Sequence, residues 1–228
     1  HQHHAQLYSG GYGLSLLSDL ANTIQLSDGT DFIHSISDTD RQLLSDFVLK
    51  GTQLFGYRNM IDFGTIGRGI SRQVTSNYNN IPMSFLKQMM YLDTTNEQAY
   101  TNLSEHLNGG IFPVAYQGNK YFWKSDIITQ HGANYYLSAK VISTRTYGTE
   151  SLNGENVKGY NLPLGATNIV TDGSEYNLIY PVWDWTRIPG TTAVHNQDST
   201  ALDGYQIGTN NFAGGASNGQ NGVIAFDG

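Results

Sequence analysis

The chain has 228 residues, 39% hydrophobic and 14% charged, with a formal net charge of −7 at pH 7. It contains no cysteine, which excludes disulfides and thiolate metal sites. The acidic balance argues against nucleic acid as a partner, because phosphate binding needs a basic field, and no apolar run is long enough to place the chain in a membrane.

Residues 1–11 read as a loop ending in Gly10-Gly11. From there the spacing of Leu14, Leu17, Leu20, Ala21 and Ile24 predicts a helix with one apolar face, closed by Asp28-Gly29. Asp38, Thr39 and Asp40 are N-cap candidates for a second helix, with Leu43, Leu44, Phe47, Val48 and Phe55 as its buried set. Residues 56–81 read as a glycine-punctuated loop. Pro82 opens a third helix, PMSFLKQMMYL, and Thr94 or Thr95 caps a fourth, NEQAYTNLSEHL.

Composition and period change together at 108–110. IFPVAY, KYFWKSDIIT and ANYYLSAKVIST read as strands, with Gly118-Asn119 as a hairpin signal between the first two. Short strands then run to the end of the chain. The expected division is a helical domain over 1–108 and an antiparallel β domain over 109–228. Two helix pairs alone leave an apolar face bare, the chain opens without Met, and it closes inside a strand pattern. It therefore reads as a piece of a longer protein, with no signal peptide in this piece.

Three constellations carry chemistry. HQHHAQLYSGGYG holds three histidines in four residues, but no HExxH helix or downstream ligand pattern that would make a zinc site. DFGTIGRGISRQ places Arg68 and Arg72 four apart, able to share a helix face or to converge on an anion from a loop. The stretch 150–159 packs Glu150, Asn153, Glu155 and Asn156 between glycines, a grouping that holds a polar ligand or braces a neighbouring site. Further on, Trp183 and Trp185 share a face if their segment is extended, as core indoles or as a stacking surface.

Several of these words stand in an order that resembles polysaccharide lyase family eight, the chondroitin AC, hyaluronate and xanthan lyases. They are the His3–Tyr12 spacing, GRGISR, ESLNGEN, LGATN and PVWDWTRIPGTT. The resemblance covers nearly the whole chain. It implies an α+β multidomain fold: the C-terminal helices of an incomplete α/α toroid, then an antiparallel β-sandwich domain. It carries catalysis to His3, Tyr12, Arg68, Arg72 and Glu150, with Asn153 beside them at the substrate; Trp183 and Trp185 are the further substrate-binding candidates, as a stacking surface. Glu155 and Asn156 are left as braces of the loop, and the word TYGTES, which contains Glu150, departs from the family's commoner spelling.

The chemistry the resemblance implies is β-elimination on a uronic acid polymer. A proton leaves C5 beside a carboxylate and the glycosidic oxygen leaves C4, so the site must neutralise that carboxylate, supply a base and protonate the leaving oxygen. A phenol beside guanidinium groups suits both proton tasks. Tyr12 is expected as base and acid, Arg68 as its activating partner and Arg72 as an anchor. His3 is expected beside the C5 proton, as auxiliary base or electrostatic stabiliser, with Glu150 and Asn153 orienting His3 or an arginine. No metal or cofactor is called for. The implied partner is an anionic polysaccharide, chondroitin sulfate or hyaluronan first. The net charge of −7 opposes a polyanion, but clustered arginines prevail at short range because salt screens charge beyond roughly 8–10 Å. The implied setting is a secreted or periplasmic bacterial monomer. Xanthan lyase chemistry, a non-catalytic glycan-binding β module and a purely structural piece are the competing readings.

Overall fold

The computed structural model describes residues 1–72, 81–109, 116–191 and 201–227. The chain starts with a short hairpin, β1 (Gln2–His3) and β2 (Gln6–Leu7), where the sequence suggested a loop. A π-helical turn over Ser9–Gly13 then runs straight into α1 (Leu14–Ser27). Helix α2 (Asp38–Leu49) is capped by Ser37, whose hydroxyl accepts from Asp40 N while the Asp40 carboxylate accepts from Ser37 N. That reciprocal box puts the cap one residue before the candidates. Pro82 precedes α3 (Met83–Leu92), and α4 (Glu97–Leu107) starts after Asn96, with Thr94 and Thr95 in a preceding 3-10 turn.

The helices bury Leu17, Ile24, Val48, Phe85, Leu86, Met89, Tyr100 and Leu103 in one core. Two members of the expected α2 set fall outside it. Leu43 is exposed, along a shallow apolar groove with Leu20, Ile24, Ile36 and Leu44. Phe55 lies beyond the helix end and packs 4.6 Å from Phe122 of the sheet domain.

The segment after α2 is more ordered than a loop. It forms a hairpin, β3 (Gly56–Tyr57) with β4 (Met60–Ile61), and then two 3-10 turns, Phe63–Thr65 and Gly67–Ser71. Beyond α4 an antiparallel sheet has the order β5 (Gly118–Phe122), β6 (Ile127–His131), β7 (Tyr136–Lys140) and β9 (Thr167–Val170). Gly118-Asn119 begins β5 and makes no turn there; the β5–β6 connection is Trp123–Asp126, closed by Ser125 N donating to Phe122 O at 3.0 Å. IFPVA, residues 111–115, lies outside the described residues.

A second sheet joins the two halves of the chain. Strand β8 (Tyr147–Ser151) pairs antiparallel with β10 (Gly204–Ile207) and parallel with β2, Gln6 opposite Tyr147. A last hairpin, β11 (Ala213–Ser217) with β12 (Gly222–Phe226), closes the described chain. Because β2 pairs with β8, the His3–Tyr12 segment is fastened beside Glu150, with Tyr8 bonded to a carboxylate 142 residues away in sequence.

Candidate active site

His3, Tyr8 and Tyr12 form a set of contacting rings. His3 stacks on Tyr12 with centroids 4.8 Å apart, and Tyr8 lies 4.7 Å from Tyr12. The Ser9–Gly13 turn sets this up, since it brings Tyr12 back over Tyr8 after only four residues. Tyr12 remains 40% exposed, so its phenol is reachable by a ligand.

Arg68 is the hub. Its Nη2 donates to the Tyr12 hydroxyl at 3.4 Å, its Nη1 to Glu150 Oε1, and its Nε to Glu155 Oε2 at 2.9 Å. Glu150 is fully buried on β8 and also accepts from the Tyr8 hydroxyl at 2.9 Å. Arg72 donates from Nε and Nη2 to Glu155 at 2.7 and 3.1 Å. The arginines thus converge from a short 3-10 turn, the second of the two geometries open to a GRxxxR word. Two cations and two carboxylates lock one another in place, and hydrogen-bonded charge pairs of this kind fix geometry as well as charge.

The titrations follow from these contacts. The Arg72 hydrogen bond, helped by Arg68, holds the Glu155 carboxyl below the usual range despite some desolvation. Burial first, then the adjacent Glu150 charge, pushes the Tyr8 phenol well up, so Tyr8 stays protonated and donates. Desolvation works against the Arg68 charge, but its contacts with Tyr12, Tyr8 and Glu150 outweigh it and hold the guanidinium above its ordinary value.

The turn bearing Arg68 is fastened to the first sheet from below. Buried Asp62 accepts from Tyr136 Oη at 2.6 Å, from the Ser138 hydroxyl, and from Gly64 N at 2.6 Å. Lys140 donates from Nζ to Gly64 O at 2.6 Å, and burial lowers its pKa to about 8. Ile66 and Ile70, flanking Arg68, sink into the core of this region.

Two residues matter more than the sequence suggested. Tyr8 is only 4% exposed, and glycines press on both sides of its ring. A β-carbon on Gly11 would lie 2.3 Å from Tyr8 Cε1, and one on Gly67 2.4 Å from Cζ. Glu155 is not only a loop brace, since it binds both arginines. The nearest sequence signal was the short Tyr8–Tyr12 interval and the second acid of NGEN. Asn156 does brace the loop, donating to Glu150 O at 2.9 Å and Thr149 Oγ1 at 3.1 Å. Asn153 and Gly154 both take positive φ, +59° and +74°, and Glu155 N donates to Leu152 O at 3.1 Å. That is the Asn-Gly pattern of a type I′ turn, and it swings Glu155 back to the arginines.

The tryptophans stand apart from this cluster. Their segment is a series of turns, not a strand. Trp185 is 4% exposed and donates its indole N–H to Tyr180 O at 2.9 Å, so its ring has no face left for a sugar. Trp183 is half-buried, edge-on to Phe63 at 5.3 Å and to Trp185 at 5.5 Å. The stacking role expected for Trp185 is therefore corrected: it packs the core that also receives Ile66 and Ile70.

A helical domain leading into antiparallel sheets is the build of the helical-plus-sandwich polysaccharide lyases. The sequence model described as polysaccharide lyase family 8, N terminal alpha-helical domain, matches residues 1–108, and that of the family 8 super-sandwich domain matches 117–228. The chain belongs to polysaccharide lyase family 8. It is similar to the chondroitinase-AC of Pedobacter heparinus, 32% identical over 234 residues, covering 99% of this chain and 32% of that protein. It is also similar to a xanthan lyase of Bacillus sp., 24% identical over 223 residues, covering 84% of this chain and 24% of that protein. Among solved structures, a chondroitinase AC lyase studied with oligosaccharides superposes with a TM-score of 0.84 at 26% identity, over 98% of this chain and 33% of that one. A Paenibacillus xanthan lyase shares the fold, with a TM-score of 0.76 at 22% identity over 95% and 24%. The chain spans about a third of the length of the first curated relatives it matches. Among the described residues, no helix is long and apolar enough to cross a membrane.

Proposed function

We propose that this chain carries the catalytic cluster of a lyase that cuts uronic-acid-containing polysaccharides, chondroitin sulfate or hyaluronan, by β-elimination without a metal. The observation that supports this most is Arg68 reaching both the exposed Tyr12 hydroxyl and buried Glu150. A guanidinium 3.4 Å from the phenol oxygen stabilises charge that develops there during proton transfer, which suits Tyr12 to that role. In the proposed step the Tyr12 phenolate takes the C5 proton. The C–H electron pair forms the C4–C5 double bond, the C4–O bond breaks, and Tyr12 returns the proton to the leaving oxygen. His3, stacked on Tyr12, keeps the ring oriented, and its proposed place is beside the C5 proton. Arg72 anchors the substrate anion from the edge of the cluster, and Asn153 stands on the adjoining turn.

Glu150 and Glu155 act through the arginines: they set the position of each guanidinium and balance its charge. A polymer too large to enter a cell fits a secreted or periplasmic enzyme. The test is ultraviolet absorbance of unsaturated uronate, followed with the intact protein on chondroitin sulfate, hyaluronan and xanthan, with and without a chelator. Rising absorbance on one of the first two, indifferent to chelator, is the expected result. A rise on xanthan alone would reassign the substrate, and a flat trace on all three would overturn the lyase reading.

A further inference from the structure

With Trp185 buried and Trp183 packed against Phe63, the remaining tryptophan is the one on the surface. Trp123 is 60% exposed. It heads the β5–β6 turn, and that turn is held from two sides. Gln2 Nε2, on β1, donates to Lys124 O at 2.8 Å and to Ser125 Oγ at 3.3 Å. Arg145 donates from Nη1 to Trp123 O at 3.0 Å and from Nη2 to Asp126 Oδ1 at 2.5 Å and Ala213 O at 2.9 Å. The indole is therefore displayed on a fixed backbone, and binding there would lose little ordering entropy.

A single exposed apolar side chain needs no explanation. This one borders a depression of about 390 Å³ lined by Gln2, His4, Ala5, Trp123, Lys124 and Arg145. The lining includes two cations and no carboxylate, on a chain whose formal charge is −7. The Lys124 ammonium lies 5.2 Å from the indole centre, so ring and cation are presented together. The depression also adjoins the reacting rings. His4 meets His3 edge-on at 4.6 Å, and His3 stacks on Tyr12 at 4.8 Å. On its other side His4 meets Tyr205 at 5.6 Å. His4 holds a left-handed φ of +54°, a conformation that costs a non-glycine residue energy and persists where the surroundings enforce it.

We propose that this depression is a sugar subsite next to the Tyr12 cluster. It packs a pyranose ring of the polymer against Trp123 and sets that sugar's anionic group, a uronate carboxylate or a sulfate ester, against Lys124. Arg145 and Gln2 are positioning residues, since they hold the turn. The ligand class rests on the lyase reading above; the geometry of the subsite does not.

The test uses the intact protein carrying Tyr12→Phe, so that the probes are not consumed. Hyaluronan hexasaccharide offers carboxylates only, and chondroitin sulfate hexasaccharide offers carboxylates and sulfates; both are titrated calorimetrically. Trp123→Ala is expected to weaken both by about tenfold, the scale of losing an aromatic anchor, and Trp123→Phe to recover part of the loss. Lys124→Ala is expected to cost about threefold at low salt and little at high salt. A loss on both probes assigns the carboxylate, and a loss on the sulfated probe alone assigns the sulfate. Unchanged affinity, within about twofold, for Trp123→Ala and Lys124→Ala on both probes overturns the subsite. So does an absence of binding to either probe. Elimination by the protein with Tyr12 intact is measured separately. Elimination with no Trp123 effect on binding removes the subsite alone. Trp123-dependent binding with no elimination removes the lyase reading and keeps the subsite.

Discussion

Gly67→Ala tests whether the cluster depends on Tyr8. Gly67 holds φ +52°, and a β-carbon there would lie 2.4 Å from Tyr8 Cζ and 2.6 Å from its hydroxyl. The ring has little room on the Gly11 side either, where an added β-carbon would lie 2.3 Å from Cε1. The left-handed backbone alone costs alanine about 1–2 kcal/mol. Displacing Tyr8 also removes its 2.9 Å hydrogen bond to the Glu150 carboxylate, a further loss of about 1.5–3 kcal/mol for a bond to a charged acceptor. Gly29→Ala is the control, since Gly29 holds φ +71° with nothing within 4 Å of the added carbon. Urea denaturation should therefore show Gly67→Ala less stable than Gly29→Ala by about 2 kcal/mol. The elimination rate of the intact protein should fall about tenfold or more for Gly67→Ala only, because a shifted Glu150 moves Arg68 away from Tyr12. Equal stabilities and equal rates for the two variants would refute the reasoning.

Glu155→Gln leaves both arginines without their shared carboxylate, and kcat is expected to drop about tenfold with the far-ultraviolet dichroism unchanged; an unchanged kcat would make Glu155 a spectator. His131 is buried and donates from Nε2 to Leu54 O at 3.1 Å, with burial lowering its pKa to about 4 from an ordinary 6.5. The unfolded chain takes up that proton first on acidification, so stability present above pH 6.5 is lost as the pH falls toward 4, by about 3 kcal/mol. Urea midpoints across that range should show the loss, and His131→Phe should flatten it; an equally steep profile in the variant would contradict the assignment.

The helices were legible because a 3.6-residue period reports one buried face, and α1 shows it at Leu14, Leu17, Ala21 and Ile24. Leu43 was misread because the period says which residues are apolar and not what stands opposite them. The candidate site words were legible as words, yet their meeting depends on the parallel pairing of Gln6 with Tyr147, which no local pattern encodes. Tyr8 and Glu155 were underweighted for the same reason, since their partners lie 142 and 87 residues away. The tryptophans were open to two readings in the sequence. PVWDWTRIPG allowed core indoles or a stacking surface, and the turns fold Trp185 inward, while Trp123 in an ordinary strand word ends up on a turn at the surface.

The central claim is that Tyr12 moves the proton. Tyr12→Phe in the intact protein removes one hydroxyl and keeps the ring that stacks on His3. The measurement is the initial rate of unsaturated uronate formation on chondroitin sulfate and hyaluronan, paired with the affinity of the same variant for the polymer. Elimination is expected to be lost while binding stays at the parent's level. Turnover retained near the parent rate would take the proton transfer away from Tyr12 and contradict the account.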